Sequence, residues 1–303
     1  MPDYGNQAWN FIKLTRVPFL LGGFLLYGLG AAAAVRTGIA VNWVFYGLGQ
    51  VVVTSIQLMA QYLNEYYDVE VDRLATNNRT WFSGGSGILS SGGVSPSTVL
   101  AAARICAVFA LLTGILACAV SPWMTPIVMF SFLGSWFYST PPSALMASGW
   151  GELTTSVIVG LLVPLAGYCM QGGFPPGIFW LMGVPLVLGH AAMLLAFEFP
   201  DRVADLSVGK KTLTVRLGLE RTAWVSITLI GSACLFLVAL TLFSKHPGHW
   251  MAWAVPLGIW QMVMIRRVSL SPLHPQYHLL TAGGVDFFIL MALLALFGFD
   301  FAG

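Results

Sequence analysis

The sequence predicts an all-α membrane protein: a polytopic bundle of about nine transmembrane helices that forms one domain over residues 1–303 and has a cytoplasmic N-terminus. Two observations predict this fold. Apolar residues make up 57% of the 303-residue chain and charged residues only 9%, whereas a soluble globular protein carries roughly 25% charged residues. Long apolar runs also recur along the whole chain. So little charge cannot cover a water-facing surface, and the lipid bilayer is therefore a predicted partner of the chain.

Nine segments are apolar enough and long enough to be read as spanning helices, which need about 20 residues each. Several of them contain glycine or proline, for example Pro164 and Pro185. Membrane helices tolerate proline where neighbouring helices satisfy the freed backbone groups. The predicted helices cover approximately residues 18–36, 42–63, 98–120, 123–140, 152–170, 177–198, 223–243, 249–265 and 279–299.

The basic residues support this helix count, because Lys and Arg concentrate on the cytoplasmic side of membrane proteins. With the N-terminus inside and the loops assigned alternately, only Arg36 and Lys245 of the 14 basic residues fall outside, which leaves 12 inside. A miscounted helix early in the chain would scramble this division. The pattern predicts a protein of the cell inner membrane whose polar loops face the cytoplasm. A net charge of +2, from scattered basic residues, argues against a nucleic-acid partner.

Two stripes of oxygen-bearing side chains lie at predicted cytoplasmic helix ends. The first stripe has a spacing of i, i+4 and i+8, which is one face of a helix if the second helix continues past Leu63. The second has two aspartates at i and i+4, with a glutamate three residues earlier that can join the same face. The stripes comprise Asn64, Asp68 and Asp72, and then Glu198, Asp201 and Asp205.

Carboxylates that face one another repel unless a cation lies between them. Mg²⁺ prefers such oxygen ligands and bridges carboxylates to substrate phosphates, whereas zinc favours the His and Cys ligands that are missing beside these aspartates. Basic residues occur in the same loops: Arg73, Arg79, Lys210, Lys211 and Arg216. An acid at a helix end is ordinarily just solvated, but two such stripes on one side of a charge-poor protein favour a magnesium-dependent diphosphate site.

The order of these motifs resembles the UbiA family of intramembrane prenyltransferases over essentially the whole chain, and its menaquinone-pathway (dihydroxynaphthoate prenyltransferase) branch most. The resemblance is carried by NxxxDxxxD after the second helix, by NRTWFSGGS, and by DxxxD followed by GKKTLTVRLG. It implies a nine-helix fold and two Mg²⁺ ions bound against a prenyl diphosphate. The ligands that it implies are Asn64, Asp68, Asp72, Asp201 and Asp205.

The same resemblance implies roles for further residues. Arg79 and Lys210 would contact the phosphates, and Tyr138 of the YSTPP segment would lie near the reacting carbon. A basic residue that precedes the first helix in the family corresponds to Lys13 or Arg16, and we place Arg16 among the predicted substrate-binding residues. The four aspartates and Tyr138 are the predicted catalytic residues.

The chain departs from the resembling enzymes in the half of the site that would bind the acceptor. Two positions after the proline pair that are usually Lys and Arg are here Ala144 and Ser148. Glu198 stands where relatives tend to have Asn, and we include it among the predicted substrate-binding residues. The donor half is thus intact, while two cations that would grip an anionic acceptor are missing.

Mg²⁺-dependent transfer of a prenyl group through an allylic carbocation to an aromatic, lipophilic quinone precursor is the predicted function. The alternative within the same fold is a terpene cyclase, in which a double bond of the prenyl chain attacks the cation and no charged acceptor is needed. A transporter would require ionisable residues near the middle of the bilayer, whereas the acids here cluster towards one side.

Overall fold

The computed structural model describes residues 4–75, 79–243, 247–268 and 270–300, and within these ranges it contains helices and loops but no strand. The polar loops and the short helices lie between long apolar helices. The helices are α1 (Tyr4–Leu14), α2 (Val17–Arg36), α3 (Trp43–Tyr67), α4 (Val69–Leu74), α5 (Pro96–Val120), α6 (Met124–Ser139), α7 (Gly151–Val157), α8 (Val163–Cys169), α9 (Gly177–Ser207), α10 (Leu213–Leu217), α11 (Leu219–Phe243), α12 (Val255–Val268) and α13 (Tyr277–Asp300).

Seven helical stretches in the described ranges are long and apolar enough to cross a membrane: α2, α3, α5, α7 with α8, α9, α11 and α13. This confirms the predicted helical membrane bundle. Each of the nine predicted segments corresponds to helix, but α6 has 16 residues and α12 has 14. A helix of 16 residues is about 24 Å long, against a hydrocarbon core of about 30 Å. Nine spans and a cytoplasmic N-terminus therefore stay predictions, and Lys245 lies outside the described residues.

Three short helices were not predicted, because each is shorter than the run of about 20 residues that identifies a span. They are α1, α4 and α10. Helix α1 precedes the first span, α4 follows α3 almost without interruption, and α10 follows the loop after α9. Two of the three thus stand beside the predicted acidic stripes and shape the polar end of the bundle.

The long helices surround two buried apolar cores that share α2. Tyr27 and Ala34 of α2 belong to a core with α3, α5, α6 and α8. Leu26 and Leu29 of the same helix belong to a second core with α9, α11, α12 and α13. Neighbouring positions on α2 thus contact different halves of the bundle.

Helices α2 and α8 approach one another closely because each presents a glycine at the crossing. A Cβ atom on Gly30 would lie 1.7 Å from the Pro164 carbonyl oxygen, and one on Gly167 would lie 2.0 Å from that of Tyr27. Small residues are the usual means of close helix packing in membranes. At this crossing the backbones of α2 and α8 therefore pack directly against each other near Pro164 and Tyr27.

Candidate functional site

A cavity of about 560 Å³ lies among the helices of both halves. One part is lined by charged and polar groups from the two predicted stripes. The remainder is lined by apolar side chains from α2, α3, α6, α9 and α13 and from the stretch between α7 and α8. The apolar lining includes Leu26, Val53, Ile56, Ile127, Leu162, Met193 and Phe288. Such a cavity suits an amphiphilic ligand with a charged head and a long hydrocarbon tail.

The first stripe stays on one face although α3 ends at Tyr67. The Asp68 N–H donates to the Asn64 carbonyl oxygen at 2.9 Å, and the Asp72 N–H donates to the Asp68 carbonyl oxygen at 2.9 Å. The i to i+4 hydrogen bonds therefore continue across the junction of α3 and α4. All three residues line the cavity, as the spacing predicted.

The loop that follows α4 is held against the first stripe by Arg79. Its Nε donates to the Gly84 carbonyl oxygen at 2.8 Å, and its Nη2 donates to the Asp72 carbonyl oxygen at 3.0 Å. Gly85 has φ +66°, and a Cβ there would lie 1.9 Å from Oδ2 of Asp72. Only glycine allows the backbone to approach this carboxylate so closely.

The same loop also reaches the second stripe. The Gly84 N–H donates to Oδ2 of Asp201 at 3.1 Å, so that one glycine loop contacts aspartates on α4 and α9. Helix α9 continues to Ser207 and keeps Asp201 and Asp205 on one face, although Pro200 lies inside it. Asp201, Asp205 and Glu198 line the cavity together with Gly84 and Gly85.

Lys210 joins the two stripes. Its Nζ lies 2.5 Å from Oδ1 of Asp68 and 3.8 Å from Oδ1 of Asp205. The Thr212 hydroxyl donates to Oδ2 of Asp205 at 3.4 Å. The GKKT segment, which follows α9, thus returns to the polar part of the cavity and places one cation between two carboxylates.

The crowding of buried carboxylates in this cluster shifts the pKa values of its members. Burial, and then the neighbouring charges of Asp68, Glu65 and Asp201, raise the pKa of Asp72 to about 8. Burial works to lower the pKa of Lys210, but the carboxylates of Asp68 and Asp205 outweigh it and the pKa is raised. The cluster therefore favours additional positive charge.

Arg16, rather than Lys13, is the basic residue of the first helices that lines the cavity. Its Nη2 donates to the Phe82 carbonyl oxygen at 2.7 Å, and its guanidinium lies 4.4 Å from the centre of the Phe19 ring. Lys13 is exposed, with its Nζ over the Trp9 ring. Burial lowers the pKa of Arg16, and the charges of Glu65, Asp72 and Asp201 oppose this effect.

Arg79, which the resemblance predicts to contact the phosphates, does not line the cavity. Its hydrogen bonds to backbone carbonyl oxygens place it behind the glycine loop. Arg79 therefore holds Gly84 and Asp72 in their positions at the site. Among the described residues, Arg16 and Lys210 are the Lys and Arg side chains that line the cavity.

Tyr138 lines the cavity beside two carboxyl groups, those of Glu152 and Glu198. Glu198 Oε2 accepts a hydrogen bond from the Thr214 N–H at 2.9 Å, and Glu152 Oε1 accepts one from the Leu213 N–H at 3.4 Å. The first two backbone N–H groups of α10 therefore hold both glutamates in place. Ala144 and Ser148 do not line the cavity, but Met146 between them does.

The donor set fits a divalent, oxygen-preferring cation such as Mg²⁺. It consists of carboxylate oxygens and the Asn64 amide oxygen, and one of these atoms, Oδ1 of Asp201, is buried without a hydrogen-bond partner. Within the described ranges no three His, Cys, Asp or Glu side chains converge into a ready metal cluster. The Lys210 ammonium lies between Asp68 and Asp205 instead.

Sequence reasoning missed two acidic residues of this region, Glu152 and Glu65. Glu65 is 3% exposed and accepts hydrogen bonds from the N–H and the hydroxyl of Ser86, both at 2.7 Å, so that it anchors the glycine loop. Both are acids beside apolar runs in a chain that has only 12 acidic residues. The scarcity of acidic residues in an apolar chain was therefore the signal that could have identified Glu152 and Glu65 as candidate site residues.

Residues 24–292 match the model of the UbiA prenyltransferase family. Curated relatives include a 1,4-dihydroxy-2-naphthoate octaprenyltransferase from Bacillus subtilis, which is 24% identical over 62% of this chain and 59% of the relative. A chloroplastic chlorophyll synthase from Arabidopsis thaliana is 26% identical over 63% of this chain and 49% of the relative. The chain thus spans about half of the length of these curated relatives.

A solved structure of a UbiA homologue from Archaeoglobus fulgidus, bound to GPP and Mg²⁺, superimposes with a TM-score of 0.66. The two sequences are 17% identical, and the superposition covers 95% of this chain and 98% of the other. At this identity the likeness establishes the fold of the bundle.

Proposed function

The chain belongs to the UbiA prenyltransferase family, and we propose that it transfers a prenyl group from an isoprenoid diphosphate to an aromatic quinone precursor inside the membrane. The observation that carries the proposal is the convergence of both aspartate stripes and Lys210 at one part of a cavity that is otherwise apolar. A charged head and a hydrocarbon tail each find a matching environment in that cavity.

In this proposal Asn64, Asp68, Asp72, Asp201 and Asp205 hold two Mg²⁺ ions, as the Mg²⁺ and GPP of the Archaeoglobus homologue support for a similar fold. When bound, the ions neutralise the negative charge that develops on the leaving diphosphate. Lys210 and Arg16 bind the diphosphate oxygens by charge-assisted hydrogen bonds. Arg79 holds the glycine loop in place rather than touching the phosphates.

The hydrocarbon part of the donor lies along the apolar wall. The C1–O bond of the allylic diphosphate breaks with its electron pair on the diphosphate, and the face of Tyr138 stabilises the resulting cation. A cation over a desolvated aromatic ring gains about 2 kcal/mol. The electron-rich ring of the acceptor then attacks C1, and a proton leaves.

The name of the Bacillus relative supports a quinone precursor as the acceptor. The relatives described above are a transferase and a synthase, which favours transfer over intramolecular cyclisation. The acidic groups lie at one part of the cavity rather than along a path through the bundle, so that no observation favours transport. We further propose that residues 1–303 act as one domain in the cell inner membrane, with the aspartates at the cytoplasmic face.

The test is a product analysis by mass spectrometry. Purified protein and MgCl₂ are incubated with prenyl diphosphates of several lengths, with and without 1,4-dihydroxynaphthalene or 1,4-dihydroxy-2-naphthoate. We expect a product with the mass of the acceptor plus the prenyl group minus one hydrogen. A cyclic hydrocarbon that forms equally well without an acceptor would instead assign a cyclase.

A further inference from the structure

Two glutamates line the cavity: Glu198 of the second stripe and Glu152, which belongs to neither stripe. Glu152 is the second residue of α7 and Glu198 lies in α9, and the two accept hydrogen bonds from consecutive backbone N–H groups, those of Leu213 and Thr214. Negative charges that lie close together in a buried place repel one another, and a further carboxylate beside them would add to that repulsion. We call these two residues the glutamate pair.

The glutamate pair is fixed but not saturated. Backbone N–H groups of Leu213 and Thr214 hold one oxygen of each residue. Glu152 is 7% exposed, and its Oε2 is buried without a hydrogen-bond partner among the described residues. A buried oxygen of this kind is costly unless a ligand supplies a donor. Because both glutamates line the cavity beside Tyr138, the ligand that completes the pair must enter the cavity.

The charge of the pair decides which acceptor fits. A carboxylate placed against it would add a further like charge to a desolvated site, which disfavours its binding. The positions that are basic in resembling enzymes are here Ala144 and Ser148, neither of which lines the cavity. A neutral hydroxyl group, in contrast, donates the hydrogen bond that Oε2 of Glu152 lacks.

We propose, on the premise of the proposed function, that the glutamate pair is the acceptor-binding site and selects a neutral, hydroxyl-bearing aromatic ring over a carboxylated one. The acceptor hydroxyl donates to Glu152. As the ring carbon bonds to C1 of the prenyl group, the C1–O bond breaks with its electrons on the diphosphate, and the hydroxyl proton passes to the pair. The ring carbon then loses its own proton to solvent, and the oxygen takes its proton back from Glu152.

The competing explanation is that the glutamates only join α7, α9 and the start of α10. Glutamine keeps the size of glutamate and its ability to accept a hydrogen bond from a backbone N–H, but it removes the charge. Glu198→Gln therefore preserves the bond to Thr214 and separates the two explanations. The matched control is Glu70→Gln, because Glu70 is exposed, pairs with Arg73 at 3.2 Å and does not line the cavity.

The experiment compares two acceptors that differ only by one carboxylate, 1,4-dihydroxynaphthalene and 1,4-dihydroxy-2-naphthoate, with the same prenyl diphosphate and MgCl₂. Wild-type protein should prefer the neutral acceptor by about tenfold or more in kcat/KM, since a like charge in a desolvated site disfavours the naphthoate. Glu198→Gln should reduce this preference by raising turnover of the naphthoate. Glu152→Gln should lower kcat with both acceptors, and Glu70→Gln should keep the wild-type preference. Calorimetric binding of the donor with Mg²⁺ should be unchanged in all three variants.

Equal kcat/KM values for the two acceptors in the wild type would overturn the inference, and so would a preference that Glu198→Gln leaves unchanged. Failure of both acceptors while the donor still binds with Mg²⁺ would also overturn it, but the donor half of the proposed function would stand. Failure of the wild type to bind the donor in the presence of Mg²⁺ would instead refute the proposed function itself.

Discussion

Lys210 Nζ lies 2.5 Å from Oδ1 of Asp68, a residue 142 positions earlier in the chain. This ion pair joins the middle residue of the first stripe to the loop after α9, and Oδ1 of Asp205 lies 3.8 Å from the same ammonium. A cation held between two carboxylates by a single flexible side chain can turn to a diphosphate when divalent ions take over the carboxylates. Lys210 therefore lies where it can contact both the metal-binding carboxylates and the diphosphate of the proposed donor site.

Replacing Lys210 with alanine should weaken binding of the donor. A hydrogen bond to a charged group contributes about 1.5–3 kcal/mol, which corresponds to a rise of roughly 10- to 100-fold in the donor KM at about 1.4 kcal/mol per tenfold. Steady-state kinetics with varied prenyl diphosphate measure the effect. Lys211→Ala is the control, because Lys211 is exposed and does not line the cavity. Equal KM values for the two variants would contradict the assignment.

Asp68→Ala and Asp201→Ala should each abolish diphosphate release while the protein remains folded. Partners one shell outside a metal cost about 10–100-fold in affinity or activity when removed, and a direct ligand costs at least as much. Diphosphate release over a series of MgCl₂ concentrations measures the loss, and circular dichroism checks the helices. Asp72→Ala and Asp205→Ala should behave in the same way. Full activity of the wild type in a chelator would exclude the metal role of all four aspartates.

Gly85→Ala should impair the site through a single clash. The added Cβ would lie 1.9 Å from Oδ2 of Asp72, and both φ +66° and the clash disfavour alanine. Gly92→Ala is the matched control, because Gly92 has φ +76° in the same loop with nothing within 4 Å. Each substitution carries a backbone cost of about 1–2 kcal/mol, but only the first should raise the Mg²⁺ concentration needed for half-maximal activity. An equal effect of both would place the cause in the backbone.

The sequence was sufficient to predict which residues of each acidic stripe share a helix face, because helical spacing determines the relative positions of side chains over one or two turns. Asn64, Asp68 and Asp72 line the cavity on one face as i, i+4 and i+8 required, even though α3 stops at Tyr67. The contact between Gly84 and Asp201 was not predictable, because it joins a loop to a helix 117 positions away. The hydrogen bonds of Arg79 were not predictable either, because its partners are the backbone carbonyl oxygens of Gly84 and Asp72.

The number of spans was less predictable than the site. Helices α6 and α12 match two predicted segments in position, but their 16 and 14 residues fall below the length that identifies a span. An apolar run shows only that a segment is hydrophobic. The residue at which its helix starts depends on local turns, such as the one before α6, where Ser121 and Pro122 accept hydrogen bonds from the N–H groups of Met124 and Thr125. Glu152 was missed because a single acid next to an apolar run has no spacing pattern.

The loops before and after α3 should lie on opposite sides of the membrane. Helix α3 has 25 residues and is about 37 Å long, which exceeds the hydrocarbon core of about 30 Å. The basic residues predict that Ser91 is cytoplasmic and Gly38 is not. Single cysteines at these two positions, in a protein whose natural cysteines are replaced, should react with a membrane-impermeant reagent from opposite sides of sealed vesicles. Reaction of both from one side would refute the predicted arrangement.

Adding cations at the positions that are basic in resembling enzymes should widen the choice of acceptor. Ala144 already has φ +37°, so that Ala144→Lys adds little backbone strain, and Ser148→Arg loses only the hydrogen bond to the Leu145 carbonyl oxygen at 2.9 Å, worth about 1 kcal/mol. Long basic side chains on either side of Met146 can reach towards the glutamate pair and offset its charge. The double variant should therefore raise kcat/KM for 1,4-dihydroxy-2-naphthoate and leave that for 1,4-dihydroxynaphthalene nearly unchanged.

A second double variant, Ser91→Lys with Ser97→Arg, adds the same charge at exposed positions and should change neither value. If the wild type already prenylates the naphthoate rapidly and the cations at 144 and 148 bring no gain, other basic residues such as Arg16 already grip the carboxylate, and the missing cations do not determine the acceptor.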